Sequence, residues 1–312
     1  MEHSLQKESS LNVIFMGTPD YADKILEYLI AQGDINVVAV YTQPDKPVGR
    51  KKVMTPPPVK ITAQHHDIKV YQPSSLREKE SVEELLKIDC DYIVVAAYGQ
   101  ILPLEILNHA PSINLHASIL PQYRGASPIQ QTLLHGDKQT GVTAMLMEEG
   151  LDCGDILKIT TIDVGDDEML ESLFERLTDV AATLTVDVLH NFSSLTPKKQ
   201  DDAHATYCKK ITKTDGLVIF DDAKTIYNKY RAFTPWPGIY LESRLKLKVM
   251  QLEESSSCNE AGKILEIAKD SVVVGCEKGS LRIFRLQPES KKEMDAVAYT
   301  NGKRISVADT LS

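Results

Sequence analysis

Residues 11–41 read LNVIFMGTPDYADKILEYLIAQGDINVVAVY, and this stretch decides the fold. Asn12 to Met16 form a short apolar run, broken by Gly17-Thr18-Pro19-Asp20. Between Tyr21 and Ala31, the residues Ala22, Ile25, Leu26, Leu29 and Ile30 recur at helical spacing on one face. Val37 to Tyr41 is a second apolar run. Strand, turn, helix and strand in this order open a parallel α/β sheet. Further strands are expected at 68–71, 91–97, 112–115 and 142–147, with a helix over 81–86. The 91–97 run, DYIVVAA, is nearly all apolar, as a strand covered on both faces requires. The alternation predicts an α/β, Rossmann-like, doubly wound N-terminal domain.

The turn after the first strand is where a dinucleotide-binding protein carries GxGxxG. Here the glycine pattern is absent, and Pro19 removes a backbone N–H that a phosphate would use. A dinucleotide site is rejected, although the fold type would permit one.

Beyond this domain the text changes. Residues 194–215, SLTPKKQDDAHATYCKKITKTD, are polar, charged and poor in large apolar side chains, and read as a linker. One amphipathic helix is expected over 223–232. Short β-like stretches follow at 245–250, 263–267, 271–275 and 281–286, separated by turns such as Lys278-Gly279. Strands at this spacing predict a small OB-like β-barrel or sandwich. The expected division is an extension over 1–10, a first domain over 11–193, the linker over 194–215 and a second domain over 216–312.

A chain of 312 residues suits two domains, and 42% hydrophobic residues supply a sizeable core. No run approaches the roughly 18 apolar residues of a membrane span, and the polar start MEHSLQKESS has no signal-peptide core. Five cysteines at wide spacing, with no CxxC, point away from a disulfide framework or a zinc site. A reduced, cytoplasmic location is expected. The net charge of -9 argues against indiscriminate nucleic-acid binding, but it is unevenly spread. From Asp201 onward there are 18 Lys and Arg against 16 Asp and Glu; the first 200 residues hold 17 against 28. Local basic stretches therefore remain available for RNA contact.

The chemistry gathers in INLHASILPQYRGASPIQ, residues 113–130, and GLDCGD, residues 150–155. Asn114 and His116 stand two apart at the end of an apolar run, so in a strand both face one side. That strand end is where open α/β sheets place ligands. Asp152 sits in a turn between Gly150 and Gly154. An amide, an imidazole and a carboxylate together can stabilise an oxyanion and move protons, as acyl transfer to an amine requires. Read singly, the first two are also a plain polar pair at a strand end, and Asp152 is also ordinary turn chemistry. Thr42 to Lys60, TQPDKPVGRKKVMTPPPVK, holds five prolines and five Lys or Arg, and is expected as an exposed, mobile loop. It is either a solvated basic loop or one that tracks phosphates. RAFTPWPGIY, residues 231–240, holds the single tryptophan. The preferred reading of Trp236 is a core anchor between two prolines rather than a base-stacking surface.

Three strings together carry a resemblance over residues 11–304: GTPDYA with TQPDKPVGR, the block from INLHASILPQYRGASPIQ to GLDCGDI, and RAFTPWPG. The chain resembles the folate-dependent formyltransferases, and within them the branch that acts on methionyl-tRNA. The resemblance implies a formyltransferase domain followed by an OB-like tRNA-binding domain. It implies catalysis by Asn114, His116 and Asp152, with 10-formyltetrahydrofolate as donor, initiator methionyl-tRNA as acceptor and no metal. It places the folate against Tyr98, Gly99, Gln100, Ile101, Leu102, Ser118, Ile119, Leu120 and Pro121. It maps a tRNA-contacting arginine to Arg50, with Lys51 and Lys52 beside it. Lys209, Lys210 and Lys213 in the linker are candidate phosphate contacts. So are Arg244, Lys246 and Lys248, whose alternation lets them share one strand face. The chain departs from the family in one place: Val218-Ile219-Phe220 stands where an aspartate or asparagine followed by tryptophan is common. A monomer is expected, although no residue pattern requires one. The competing readings are a formyltransferase for glycinamide ribonucleotide or a nucleotide sugar, a hydrolase of the formyl donor, and a non-catalytic RNA-binding protein.

Overall fold

The computed structural model describes residues 10–49 and 51–311, which form two compact units. The first unit takes the chain up to Gly125, then Gln139–Asp163 and Phe174–Cys208. Its core is a seven-stranded sheet. Leu11–Gly17 lies inside the sheet, with Ile35–Tyr41 and then Val70–Tyr71 parallel to it on one side. On the other side Tyr92–Ala96 and Ser112–His116 are also parallel. Gln139–Leu146 and Ile156–Asp163 complete the sheet in antiparallel sense. The strand order reverses at Leu11–Gly17, which makes the crevice at the C-terminal ends of the parallel strands the expected ligand position.

The residues explain these elements. Val13, Ile14, Phe15 and Met16 are fully buried, as a central strand demands. Helix Asp20–Ile30 buries Tyr21, Ala22, Ile25, Leu26 and Leu29. Each large apolar side chain so covered contributes about 1.5–3 kcal/mol. Gly17 permits this approach of helix and strand. A Cβ there would stand 2.5 Å from the Ala22 Cβ and 2.9 Å from the Ala96 carbonyl oxygen. Its role is close packing, in keeping with the absence of a phosphate-binding glycine pattern.

Several elements have no counterpart in the sequence reading, among them Ile156–Asp163 and Leu170–Asn191. Ile156–Asp163 is a half-exposed edge strand whose burial barely alternates. Leu170–Asn191 is a 22-residue helix interspersed with valines and threonines. The Thr178, Thr183 and Thr185 hydroxyls donate to carbonyls four residues earlier, which accommodates these poor helix formers. Thr42 to Lys60 also differs from expectation. Lys46–Val48 and Val53–Thr55 pair as a small antiparallel hairpin. Its base is held by Asp45, which accepts from Lys60 Nζ at 2.8 Å and from Gln72 Nε2 at 2.8 Å. Residues 194–208, expected as linker, are hydrogen-bonded into the first unit, and Tyr207–Cys208 pairs with Arg124–Gly125.

The second unit contains Ala126–Lys138, Val164–Leu173 and the chain from Lys209 onward. It is built on an antiparallel sheet ordered Ile239–Tyr240, Lys246–Glu254, Ser280–Gln287, Val272–Gly275 and Ile264–Ile267, with Met294–Asp295 against Ser280–Gln287. Helix Ala223–Phe233 starts at Asp222, whose side chain accepts from Thr225 N at 3.0 Å. Arg231 on this helix is 4% exposed, and burial acts on it more strongly than the opposing charges of Asp167, Asp166 and Glu168. It donates to the carbonyls of Gly165, Glu168 and Leu133, and to Asn228 Oδ1 at 2.6 Å.

Trp236 corrects an expectation. It is 57% exposed and anchors nothing; Phe233 and Ile239 fill the core beside it. At the departure from the family pattern, Val218 and Phe220 are buried, while Ile219 is exposed. Among the described residues no helix is long and apolar enough to cross a membrane.

Candidate active site

Ser112–His116 ends at the C-terminal edge of the parallel strands. Asn114 is half-buried and His116 is buried, two residues apart and therefore on one face. His116 Nε2 lies 2.9 Å from the Tyr123 carbonyl oxygen. A carbonyl oxygen only accepts, so Nε2 carries the hydrogen. That contact fixes the ring and leaves Nδ1 as the working nitrogen. Nδ1 faces Asp152 Oδ2 at 3.6 Å, with both side chains largely shielded from solvent.

Asp152 is placed by its surroundings. Its φ is +50°, in the left-handed region that Asp tolerates better than most residues. Gly125 N donates to its Oδ2 at 2.7 Å, orienting the carboxylate toward His116. Gly125 itself has φ +117°, and a Cβ there would stand 2.3 Å from the Cys208 carbonyl oxygen. Only glycine lets the backbone come this close while keeping its N–H on Asp152. Gly154 is similarly confined, a Cβ meeting the Leu146 carbonyl oxygen at 1.8 Å.

The loop after His116 is braced from two directions. Thr143 Oγ1 donates to the Ser118 carbonyl at 2.7 Å and accepts from Leu120 N at 3.1 Å. Thr206 accepts from Tyr123 N at 2.8 Å through its hydroxyl and from Arg124 N at 2.8 Å through its carbonyl. Arg124 is 2% exposed. Its guanidinium donates to Gln200 Oε1 at 3.1 and 2.9 Å, to Asp202 Oδ1 at 2.8 Å and to the Tyr207 hydroxyl at 3.3 Å. Gln200 Nε2 in turn donates to the carbonyls of Asp152 at 2.9 Å and Gly154 at 2.8 Å. Thr143, Thr206, Tyr207 and Gln200 escaped sequence reasoning. Three of them lie in the stretch read as linker, and a reciprocal hydrogen-bond set leaves no periodic trace.

The residues expected at a pterin pocket divide. Tyr98 and Leu102 belong to the apolar core cluster with Met16, Tyr41 and Leu76. The Tyr98 hydroxyl has no partner among the described residues, and burial pushes its phenol pKa well up. Gly99 turns the chain at φ +80°, and Ile101 is 68% exposed. Gln100 braces a neighbouring loop, accepting from Leu76 N at 2.8 Å and donating to the Pro73 carbonyl at 3.0 Å. Ser118 and Leu120 are buried, whereas Ile119 and Pro121 are half-buried.

Of the basic candidates, Arg50 lies outside the described residues. Lys51 and Lys52 are exposed in the hairpin turn, between exposed Val48, Val53 and Met54. Lys209 and Lys210 line a cavity of about 540 Å³ in the second unit, with Thr212, Phe233 and a lysine not foreseen, Lys229. Lys213 is exposed, and its carbonyl accepts from the Tyr240 hydroxyl at 3.2 Å. The alternation of Arg244, Lys246 and Lys248 fails. Arg244 precedes the strand at φ +64° and pairs with Glu289 at 3.4 Å. The register shifts between Leu247 and Val249, so a bulge at Lys248 interrupts the two-residue period.

A half-buried amide on the same strand face as an imidazole that stands 3.6 Å from a carboxylate, at the open edge of a switch-point sheet, fits an α/β enzyme of group transfer. Comparison with known proteins narrows the class. The Formyl transferase family matches residues 11–189, and the Formyl transferase C-terminal domain matches residues 210–304. The methionyl-tRNA formyltransferase of Sulfurimonas denitrificans is 68% identical over 302 residues, covering 97% of this chain and 100% of its own length. The protein of the same name from Nitratiruptor is 57% identical, covering 96% of this chain and 99% of itself. HypX from Aquifex aeolicus in complex with tetrahydrofolic acid is alike in fold, with a TM-score of 0.61 at 17% identity. That match covers 96% of this chain and about half, 48%, of HypX. The chain belongs to the methionyl-tRNA formyltransferase family.

Proposed function

We propose that the chain transfers the formyl group of 10-formyltetrahydrofolate to the α-amino group of methionine esterified to initiator tRNA. The products are N-formylmethionyl-tRNA and tetrahydrofolate. The observation that carries this reading is the approach of His116 Nδ1 to Asp152 Oδ2 at 3.6 Å beside Asn114. Identity of 68% to a relative of that name supports the choice of acceptor.

In the proposed mechanism the neutral amine attacks the formyl carbon, and the carbonyl electron pair moves onto oxygen. The Asn114 amide and the Nδ1–H of protonated His116 donate to that oxyanion, the electrostatic contribution that usually dominates such reactions. Asp152 accepts the proton that the amine loses. That proton passes from Asp152, directly or through water, to N10 as the carbon–N10 bond breaks and the carbonyl re-forms. Protons balance, because the one taken from the amine equals the one delivered to N10. Holding donor and amine together supplies a further large share of the rate.

We assign residues 11–193 to catalysis and residues 216–312 to tRNA binding. Exposed Ile101, beside the Gly99 turn, and half-buried Ile119 and Pro121 suit a flat, partly apolar pterin. Lys51 and Lys52 on the hairpin, with Arg50 between them and Gly49, suit phosphates of the acceptor end. Lys209, Lys210 and Lys213 suit phosphates further along it. The test supplies labelled 10-formyltetrahydrofolate with initiator methionyl-tRNA, elongator methionyl-tRNA or free methionine. Label on the initiator alone is expected. Donor turnover without formylated tRNA would redirect the site to another amine or to water.

A further inference from the structure

We infer that Gln200 is a positioning residue for the transfer reaction, and that Arg124 sets its orientation. The inference rests on the reading of Asp152 as the group that takes the amine proton. Asp152 is a non-glycine residue at φ +50°. Backbone in that region persists only where its surroundings over-determine it. Gly125 restrains the carboxylate, but it does not restrain the backbone that carries it. That restraint comes from Gln200, whose amide nitrogen has two hydrogens and faces two carbonyls, those of Asp152 at 2.9 Å and Gly154 at 2.8 Å. Together they clamp the Asp152–Cys153 and Gly154–Asp155 peptide units, the first and third after the Asp152 side chain.

The other end of the amide settles which way it faces. Gln200 Oε1 accepts twice from the buried guanidinium of Arg124, from Nε at 3.1 Å and a terminal nitrogen at 2.9 Å. Arg124 cannot swing away, because it is 2% exposed and also donates to Asp202 and the Tyr207 hydroxyl. A guanidinium is donor-only and a carbonyl is acceptor-only. The side chain between them must accept at one end and donate twice at the other. Glutamine does this; glutamate has nothing to donate, and an aliphatic side chain does neither. The same Arg124 belongs to the stretch whose next residue, Gly125, donates to Asp152 Oδ2. One buried cation therefore stands behind both supports of Asp152, the carboxylate through the neighbouring Gly125 and the backbone through Gln200.

The experiment measures steady-state formyl transfer by Gln200→Leu and Gln200→Glu in the full chain, with each variant's melting curve as the control for folding. A fall in kcat of about 10- to 100-fold is expected, the scale of a displacement near 1 Å at a reacting group. The KM for the folate donor and for tRNA should stay within about threefold. Asp152→Ala and the double variants supply a cycle. If Gln200 acts through Asp152, Gln200→Leu lowers kcat no further once Asp152 is alanine. Full additivity in that background, a change confined to KM, or wild-type kcat in both Gln200 variants would each overturn the assignment. Wild-type turnover by Asp152→Ala alone would instead overturn the reading beneath it. Should Gln200→Leu fail to fold, Gln200→Glu keeps the Arg124 contact and still removes both donors.

Discussion

Gly125→Ala is the smallest change that strikes both the fold and the chemistry. The added Cβ would lie 2.3 Å from the Cys208 carbonyl oxygen and 3.3 Å from its carbon. Reaching an ordinary contact requires Arg124–Gly125 and Tyr207–Cys208 to part by about 1 Å. Alanine at φ +117° costs about 1–3 kcal/mol for the backbone conformation. Pressing a methyl into occupied space adds about 1–3 kcal/mol. The Gly125 N–H that holds Asp152 Oδ2 at 2.7 Å would move with the strand. Misplacing a reacting group by about 1 Å costs on the order of 100-fold in rate. The assay compares kcat and melting temperature for Gly125→Ala with those for Gly33→Ala. Gly33 is the matched control, because a Cβ there meets nothing within 4 Å. The expected result is a loss of about 100-fold in kcat with a lowered melting temperature for Gly125→Ala, and no change for Gly33→Ala. A Gly125→Ala enzyme within about threefold of wild-type kcat would refute the placement of Asp152 by this strand.

Other consequences are simpler to measure. Trp236→Ala should change unfolding free energy by no more than about 0.5 kcal/mol, since an exposed side chain anchors no core; a loss near 3 kcal/mol in denaturant titration would restore the anchor reading. Arg231→Met should cost about 3 kcal/mol, because it removes the guanidinium donor from the Leu133 carbonyl and Asn228 Oδ1, both buried, and from the half-buried Glu168 carbonyl, and equilibrium urea unfolding would report it. Asp222→Ala should cost about 1 kcal/mol as a lost helix cap. The Thr225 N–H, aided by Lys278, holds the Asp222 carboxyl below the usual carboxylate range against the opposing effect of burial. The charged cap's contribution is therefore complete above the unfolded pKa of about 3.9 and fades as pH falls through the lower folded value. The stability gap between wild type and Asp222→Ala should narrow only below about pH 4; narrowing between pH 5 and 8 would contradict this.

The parallel sheet was legible because burial on both faces writes itself as unbroken apolar runs, as in 91–97 around Tyr92–Ala96. Asn114 and His116 were legible because a two-residue period puts both on one strand face. The bracing set was not. Gln200, Thr206 and Tyr207 sit among charged, weakly apolar residues, and what makes them structural is a set of partners more than 45 positions away. Trp236 misled because a large aromatic side chain reads as core in sequence, whereas here Phe233 is buried and Trp236 is 57% exposed. The Arg244, Lys246 and Lys248 row failed for a local reason, since a bulge is one extra residue in a register that only the partner strand reveals. The basic loop became a hairpin because Asp45, gripped by Lys60 and Gln72, closes its base.

The central claim is that a carboxylate held against His116 Nδ1 takes the proton of the attacking amine. Single-turnover transfer by Asp152→Asn tests it most directly, with donor and initiator methionyl-tRNA both saturating. The replacement keeps the shape of the side chain and removes its capacity to accept that proton. The account predicts a rate lowered by about 100-fold or more, with both substrates still bound. A single-turnover rate near that of the wild type would contradict it.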